Sequence, residues 1–555
     1  MKHATSSAAP SAARPAPDAH AELVHALLDP GCYPHPAAHI EHIETHISDV
    51  LLTGQHAYKL KKPLALGFLD FSTLAKRHFF CCEELRLNRR LAPELYEDVV
   101  AITGTPAHPS VGGPGEPIEY ALRMRQFDQS GLLERVLARG ELTAAHVDQI
   151  AASVAAFHAA LPAAAPESGF GSAERIMRPA LQNFEQLLPL LAGGDGALLD
   201  ELRAWTSNQH AALAPLFDRR MREGCVRECH GDLHLGNMAL IDGRVRIFDC
   251  IEFSADLRWI DVVSEAAFLA MDLLQHRRTD LAFRFLNRYL ELTGDYAGVR
   301  LLRYYMVYRA LVRAKVAALR AAQSDVAPAD RQSLQAKCRA HLALAHQLAT
   351  SGQPALLILH GLSGSGKTAL SQTVLQAIGA IRIRSDVERK RLHGIGETDR
   401  SGSAVGGGIY TAAAGAATYQ HVAEMAAHAI EAGFPVLVDA AFLERTRRDH
   451  FRDVASKLGC PFAILHAEAP DAVLRARIAQ RASAARDASE ATAAILDRQI
   501  AVQDPLSADE LVQCTVFPTD RMNDADVARQ AHALLEHLAP RAPGNHGPQP
   551  RGGLI

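Results

Sequence analysis

The chain has 555 residues, too many for one compact hydrophobic core, so two or three domains are expected. Hydrophobic residues make up 48% and charged residues 22%, which is an ordinary globular composition. The formal net charge of -4 excludes a strongly basic nucleic-acid or membrane-surface protein, and the apolar runs are too short and broken to span a bilayer.

The chain begins and ends in segments of low hydrophobic content. Residues 1–20 are rich in Ala, Pro and Ser, and residues 541–555 are rich in Gly and Pro, so both are predicted to be disordered tails. Between them, 21–350 shows short strands followed by long helices, and 351–540 shows strands alternating with helices. We therefore predict a first domain of α+β type and a second α/β domain with a parallel sheet.

The first domain opens with a predicted β-hairpin. Its turn is Gly54-Gln55, and its second strand carries Lys59, with Lys61 on the same face because alternate strand residues share a face. Apolar residues at helical spacing then predict three long helices, over Thr143–Ala160, Val299–Ala322 and Arg331–Ala349.

The segment HGDLHLGN, His230–Asn237, contains the candidate catalytic residues of this domain. Phosphoryl transfer needs an acid near the acceptor hydroxyl and oxygen ligands for Mg²⁺. Asp232 supplies the acid, while Asn237 and Asp249, which ends the next apolar strand, supply the ligands. The step from Asp232 to Asn237 allows one loop to place both residues around the same phosphate.

These residues resemble the aminoglycoside phosphotransferase and choline kinase group, relatives of protein kinases with the pattern HxDxxxxN followed by a metal-binding Asp. The resemblance implies a kinase-like fold in which His230 is structural and Asp232 is the catalytic carboxylate. It also implies a strand lysine on the ATP phosphates, matched by Lys59, and a helix glutamate that orients it. Glu84 matches that glutamate, or Glu83 if the helix phase differs.

The second domain contains GLSGSGKT, Gly361–Thr368, which fits GxxxxGK[ST] and lies between a predicted strand and a predicted helix. Its backbone N–H groups are expected to turn towards phosphate oxygens, at Gly361, Ser363, Gly364, Ser365 and Gly366. Lys367 would reach the β- and γ-phosphates, and the Thr368 hydroxyl would hold Mg²⁺. The sequence therefore predicts an ATP site here.

Further residues favour phosphate transfer over ATP hydrolysis. The strand over 435–438 ends in Asp439, a candidate Mg²⁺ ligand, and Ala440 stands where a motor ATPase would carry its water-activating Glu. Asp386 is a candidate catalytic carboxylate for a bound hydroxyl. Arg477 and Arg481 could close over the phosphates as a lid. The alternative is that Asp386 caps a helix and the arginines form a solvated face.

Residues 354–520 resemble the small-molecule and polynucleotide kinase branch of P-loop proteins, which includes shikimate, gluconate and zeta-toxin-like kinases. The whole arrangement, over about 21–535, resembles bacterial two-domain proteins described as bifunctional aminoglycoside phosphotransferase/ATP-binding proteins. That resemblance implies ATP and Mg²⁺ use and leaves the phosphate acceptor open.

The main hypothesis is an enzyme with two phosphotransferase modules that act on small-molecule hydroxyls. One alternative makes the first domain a regulatory pseudokinase, favoured by the single Gly54 where a Gly-rich phosphate cover is usual. Another is an ATPase switch that phosphorylates nothing. Nucleic acid is not expected as a partner, and the sequence leaves the oligomeric state open. Nine scattered cysteines and the absence of an apolar leader predict a cytoplasmic location.

Overall fold

The computed structural model describes residues 16–66, 69–191, 195–323, 326–403, 407–484 and 492–539. The described chain divides into two compact units. The first runs up to Leu142 and adds Ala160–Arg178 and Pro215–Glu265. The second comprises Thr143–Ala159, Pro179–Ala214 and the described residues from Ala266 onwards. It thus contains helices that precede residue 351, where the sequence places the start of the second domain.

Up to residue 261 the helices and strands are, in chain order, α1 (Ala16–Ala26), β1 (Glu41–Glu44), β2 (Ser48–Leu52), β3 (His56–Lys61), β4 (Ala65–Leu66), β5 (Leu69–Asp70), α2 (Leu74–Asn88), β6 (Tyr96–Thr105), β7 (His108–Val111), β8 (Glu119–Arg125), α3 (Leu133–Ala138), α4 (Ala144–Ala160), α5 (Ala173–Leu187), α6 (Asp195–Arg222), β9 (Val226–Glu228), β10 (Met238–Ile241), β11 (Arg244–Ile247), α7 (Ala255–Arg258) and β12 (Trp259–Asp261).

From residue 262 onwards they are α8 (Val262–Gln275), α9 (Thr279–Thr293), α10 (Val299–Ala321), α11 (Pro328–Thr350), β13 (Ala355–His360), α12 (Lys367–Ile378), β14 (Ile381–Arg384), α13 (Ser385–Leu392), α14 (Ala412–Glu431), β15 (Pro435–Asp439), α15 (Arg445–Lys457), β16 (Phe462–Glu468), α16 (Asp471–Ala484), α17 (Ala493–Val502), α18 (Ala508–Leu511), β17 (Cys514–Pro518) and α19 (Asp524–Leu538). The three long helices predicted from the sequence are confirmed as α4, α10 and α11.

The first unit is built on a six-stranded sheet in the order β1-β2-β3-β8-β6-β7. All of its strand pairs are antiparallel, and β2 with β3 confirms the predicted hairpin. One face of the sheet forms a core around Leu51, Tyr58 and Leu60, against which Leu23 of α1 and Leu27, just after that helix, are also buried. Helix α1 begins at Ala16, so residues 16–20 are helical and their prediction as part of a disordered tail was wrong; the burial of this helix against the sheet explains why it is ordered. Residues 1–15 and 540–555 lie outside the described residues.

The second unit contains a five-stranded sheet in the order β14-β15-β13-β16-β17. Every pair is parallel, which confirms the predicted α/β domain. Strand β13 is buried at all its positions, as expected for the centre of a parallel sheet covered on both faces. The strands β13, β14 and β15 end at His360, Arg384 and Asp439 on one edge of the sheet, where nucleotide sites of such folds lie.

Helix α9 packs against α12 and β14 within this second unit. The side chain of Asn287 links it to the sheet, because its amide nitrogen donates to the carbonyl oxygen of Ala380 at 2.8 Å and its oxygen accepts from the backbone N–H of Arg382 at 2.5 Å. Within the described ranges no helix combines the length and the apolar character needed to cross a membrane.

Candidate functional site

The first group of site residues forms around Lys59 on β3. Its ammonium donates to Glu84 Oε1 on α2 at 2.7 Å and to Asp249 Oδ1 at 2.5 Å. Burial lowers the pKa of Lys59, but the carboxylates of Asp249 and Glu84 outweigh it and hold that pKa well above its ordinary value. The neighbouring Glu83 instead pairs with Arg86 at 2.9 Å, so Glu84 is the glutamate that faces the lysine.

A second lysine shares the same carboxylate. Lys61 is fully buried, donates to Glu84 Oε2 at 2.7 Å and also contacts Glu252. Burial raises the pKa of Glu84, but its ion pairs with Lys59 and Lys61 lower it to about 2. The pKa of Glu252 is raised by burial. Lys61 is therefore enclosed between two buried carboxylates. The Lys59 side chain, in contrast, is 13% exposed and so remains partly accessible to a ligand.

The predicted catalytic loop brings Asp232 and Asn237 together. The amide nitrogen of Asn237 donates to Asp232 Oδ2 at 2.9 Å and to its carbonyl oxygen at 3.0 Å. His234 Nε2 lies 3.2 Å from the same carboxylate oxygen. The Asp232 side chain is 34% exposed, so it can reach an acceptor, whereas Asn237 is buried.

Buried contacts hold this loop in place. Glu265 accepts hydrogen bonds from the backbone N–H groups of His230 at 3.0 Å and Gly231 at 2.7 Å. His230 Nε2 lies 2.8 Å from the carbonyl oxygen of Phe248, the residue before Asp249, and burial lowers the pKa of this histidine. Glu265 could not be predicted from the sequence, since a glutamate on an apolar helix gives no local signal that it holds a distant loop in place.

Asp249 itself has an unusual backbone, with φ of 66°. Its N–H donates to the Tyr96 hydroxyl at 3.0 Å, another contact the sequence did not indicate. A non-glycine residue in this left-handed region costs free energy and marks sites where a side chain must be aimed. Beside it lies an apolar cleft of about 40 Å³, whose lining includes Ala57, Phe127 and Phe248.

In the second unit the loop from Gly361 to Gly366 has the backbone of a phosphate cradle. Gly361, Gly364 and Gly366 have φ values of 148°, 83° and 86°. Lys367 starts helix α12, and its ammonium donates to the carbonyl oxygens of Gly361 at 2.8 Å and Leu362 at 2.7 Å. The helix N-terminus gives this position the polarity that phosphate requires. The backbone N–H groups of Gly361, Ser363 and Ser365 donate within the protein, to Ala441, Gln499 and Leu362 respectively.

Gly364 gives a direct test of this cradle. A Cβ there would lie 2.5 Å from the carbonyl oxygen of Leu474, at a φ of +83° that side chains disfavour. We expect Gly364→Ala to weaken ATP-analogue binding at this site about tenfold, since the clash shifts the loop and returning it to the phosphate-binding shape would cost about 1–2 kcal/mol. Calorimetric titration in a Lys59→Met background measures it. Gly459→Ala is the control, because that glycine has φ of +65° with nothing within 4 Å; equal losses in both variants would contradict the expectation.

The residues predicted to hold Mg²⁺ lie at one edge of the sheet. Ser371 Oγ lies 2.9 Å from the backbone carbonyl oxygen of Thr368 and 3.3 Å from Asp439 Oδ2, so the Thr368 backbone and the Asp439 carboxylate flank one hydroxyl. Asp439 is 7% exposed, and Arg384 Nε lies 3.8 Å from its carboxylate. A hydroxyl and a carboxylate are the hard oxygen donors that suit Mg²⁺. Thr368 also lines a cavity of about 760 Å³, together with Gly366 and Arg477.

The structure describes two of the three remaining predicted residues, Asp386 and Arg477, in full, and Arg481 only by its place on a helix. Asp386 lies in the first turn of α13 and pairs with Arg389 at 2.7 Å, with a side chain 35% exposed. Arg477 donates to the carbonyl oxygens of Gly364 at 3.3 Å and Thr519 at 2.9 Å, which places it over the cradle. Arg481 lies on α16, but its side chain is outside the described residues. Catalytic roles for Asp386 and the lid arginines stay predictions.

Two family models match the chain in the regions that carry these groups. A phosphotransferase enzyme family model matches residues 115–302, and an AAA domain model matches residues 356–506. An uncharacterized protein of Mycobacterium tuberculosis (strain H37Rv) is 30% identical over 478 residues, covering 85% of this chain and 93% of that protein. A Mycobacterium bovis protein, also uncharacterized, matches equally. The chain belongs to this two-domain family.

Solved structures resemble one part of this family member at a time. A gluconokinase from Sinorhizobium meliloti 1021 is 22% identical, with a TM-score of 0.25, covering 34% of this chain and 95% of its own. The amicoumacin kinase hAmiN is 11% identical, with a TM-score of 0.36, covering 60% of this chain and 92% of its own. Together the family matches and the geometry confirm a phosphotransferase-type module followed by a P-loop kinase-type module.

Proposed function

We propose that this family member transfers the γ-phosphate of ATP, with Mg²⁺, to hydroxyl groups of small molecules at two separate sites. The observation that carries the proposal is Lys59, whose ammonium lies within 2.7 Å of Glu84 and 2.5 Å of Asp249. A lysine aimed by a buried glutamate beside a metal-binding aspartate is the arrangement that positions ATP phosphates in kinase-type sites. A purely structural ion pair would not need the strained backbone of Asp249.

At the first site, Lys59 would bind the ATP phosphates and Glu84 would keep its ammonium in place. Asn237 and Asp249 would hold Mg²⁺, which supplies charge neutralisation for the phosphates when bound. Asp232 would accept the proton of the acceptor hydroxyl while that oxygen bonds to the γ-phosphorus. The bond from the γ-phosphorus to the β–γ bridging oxygen breaks, and ADP leaves.

At the second site, the loop N–H groups and Lys367 would hold the β- and γ-phosphates. Thr368 and Asp439 would hold Mg²⁺, and Arg477 would approach the phosphates from α16, where it already contacts the loop. Asp386 would orient the acceptor hydroxyl. In the proposal Ala440 leaves no carboxylate to activate water at the position after Asp439, so a bound acceptor takes the phosphate.

The proposed acceptors are small molecules rather than nucleic acids, since a net charge of -4 gives the chain no overall attraction for a polyanion. We also propose a cytoplasmic location, in line with nine free cysteines and a need for ATP. The second candidate function is a P-loop kinase or ATPase regulated by a ligand-binding first unit. The small cleft of about 40 Å³ beside Phe248 favours it, because a purine needs more room.

The experiment follows labelled γ-phosphate from ATP into a fractionated metabolite extract, with the intact protein, Lys367→Ala and Asp232→Asn. Two products, each lost in a different variant, would support two phosphotransferase sites and name the acceptors. Free phosphate alone, abolished only by Lys367→Ala, would refute transfer at the first site and favour the regulated ATPase. EDTA is expected to stop label transfer at both sites, since phosphate charge is then left without Mg²⁺.

A further inference from the structure

A cavity of about 340 Å³ lies in the second unit, away from the P-loop. Its lining includes Gln353, Gly379 and Pro435, which stand just before β13, just before β14 and at the start of β15. The P-loop follows the other end of β13, so the cavity lies at the opposite edge of the sheet. Its remaining walls come mostly from residues 274–351, together with Ile378, Phe434 and Leu535. No residue assigned to either phosphate site lines it.

The charged side chains that line this cavity are all positive. Arg277 and Arg303 are among its lining residues, which include neither Asp nor Glu. The Arg303 guanidinium donates to the carbonyl oxygen of Gly433 at 2.9 Å and lies 5.3 Å from the ring centroid of Phe434. Among the described residues no carboxylate lies within ion-pair distance of it, and burial lowers the pKa of Arg303. A half-buried cation with only a carbonyl partner is costly, and an anion would offset that cost.

Arg277 provides a second, independent observation. It follows the end of α8 with φ of 58°, a left-handed position that glycine normally takes after a helix. Within the described part of the chain its guanidinium makes neither a hydrogen bond nor an ion pair. Arg277 is exposed, so its guanidinium is accessible to a ligand, and a strained backbone position of this kind is often found at ligand sites.

We propose that this cavity binds a small organic anion through Arg277 and Arg303, with Phe283 and Phe434 contacting its apolar part. Guanidinium groups recognise phosphate and carboxylate by paired hydrogen bonds, so either group on the ligand suits the site. The two rings, with centroids 6.1 Å apart, offer an apolar surface beside the charges. A volume of about 340 Å³ matches a metabolite-sized ligand and not a macromolecule.

The test is calorimetric titration of the full chain with both nucleotide sites saturated by a nonhydrolysable ATP analogue and Mg²⁺. Phenyl phosphate and benzoate are the probes, since they share a ring and differ in the anionic group, and phenol is the neutral control. We expect one or both anions to bind the wild type and phenol not to bind. The preferred anion identifies phosphate or carboxylate as the recognised group. Binding of neither anion would overturn the proposal.

Two variants separate binding from folding. Arg277→Gly removes a guanidinium and relieves the left-handed strain, so we expect anion binding about tenfold weaker together with a raised melting temperature. Arg303→Gln is expected to weaken binding at least as much. The matched control is Asp242→Gly, which relieves a φ of 51° in the first unit and should leave anion binding unchanged. Wild-type affinity in both arginine variants would also overturn the proposal.

Discussion

Replacing Lys59 with methionine is expected to lower phosphoryl transfer at the first site by about a hundredfold or more, with little loss of folding free energy. The methionine removes the ammonium that contacts Asp249, while Glu84 keeps its ion pair with Lys61 at 2.7 Å. The rate to measure is that of the ATP-dependent product whose formation Asp232→Asn abolishes.

Lys61→Met is the matched control, two residues along the same strand. Lys61 is fully buried between Glu84 and Glu252; its removal leaves the buried Glu252 carboxylate without its ion-pair partner, whereas Glu84 keeps Lys59. Breaking such a pair costs about 3–5 kcal/mol, and we expect a large fall in urea resistance. If Lys61→Met stays folded and inactive while Lys59→Met remains active, the assignment of the phosphate-binding lysine is wrong.

Glu291→Ala is expected to lower the stability of the second unit by about 3–5 kcal/mol. Glu291 lies on α9, is 3% exposed, and accepts from Arg382 Nε at 3.0 Å and Nη2 at 2.6 Å. Burial raises the pKa of Glu291, but Arg382 and Arg384 outweigh it and hold that pKa below its ordinary value. Without this carboxylate the guanidinium of Arg382, only 5% exposed, loses its charge partner. Hydrogen exchange in β14 and α12 measures the effect locally.

The same variant reports on the P-loop site. Arg382 Nη1 donates to Ser371 Oγ at 3.0 Å, and that hydroxyl lies 3.3 Å from Asp439 Oδ2. We therefore expect a higher Mg²⁺ requirement for label transfer in those Glu291→Ala molecules that remain folded. Glu397→Ala is the control, since its carboxylate also contacts Arg384 but is 20% exposed. Equal destabilisation by both changes would contradict a special role for the buried glutamate.

Most of the candidate site residues could be found from the sequence because they lie in two short contiguous segments. Asp232 and Asn237 share one loop, and Gly361–Thr368 is a single motif, so local spacing is enough to propose them. Glu265 and Tyr96 could not be found this way. Each contacts the candidate site across a long stretch of chain, and their hydrogen bonds to the His230–Asn237 loop and to Asp249 exist only after folding.

By itself the sequence determined the two candidate motifs HGDLHLGN and GLSGSGKT, the antiparallel hairpin that carries Lys59 and the parallel sheet of the second half, since these depend on local periodicity and short loops. Only the tertiary structure decided that Glu84 rather than Glu83 faces the lysines, because helix phase is set by packing against β6 and β8. It also decided that α9 packs with the P-loop sheet. Glu291 on α9 forms an ion pair with Arg382 on β14, far away in the sequence. Because both groups are buried, the loss of either one would leave an unpaired charge and a large cost in folding free energy.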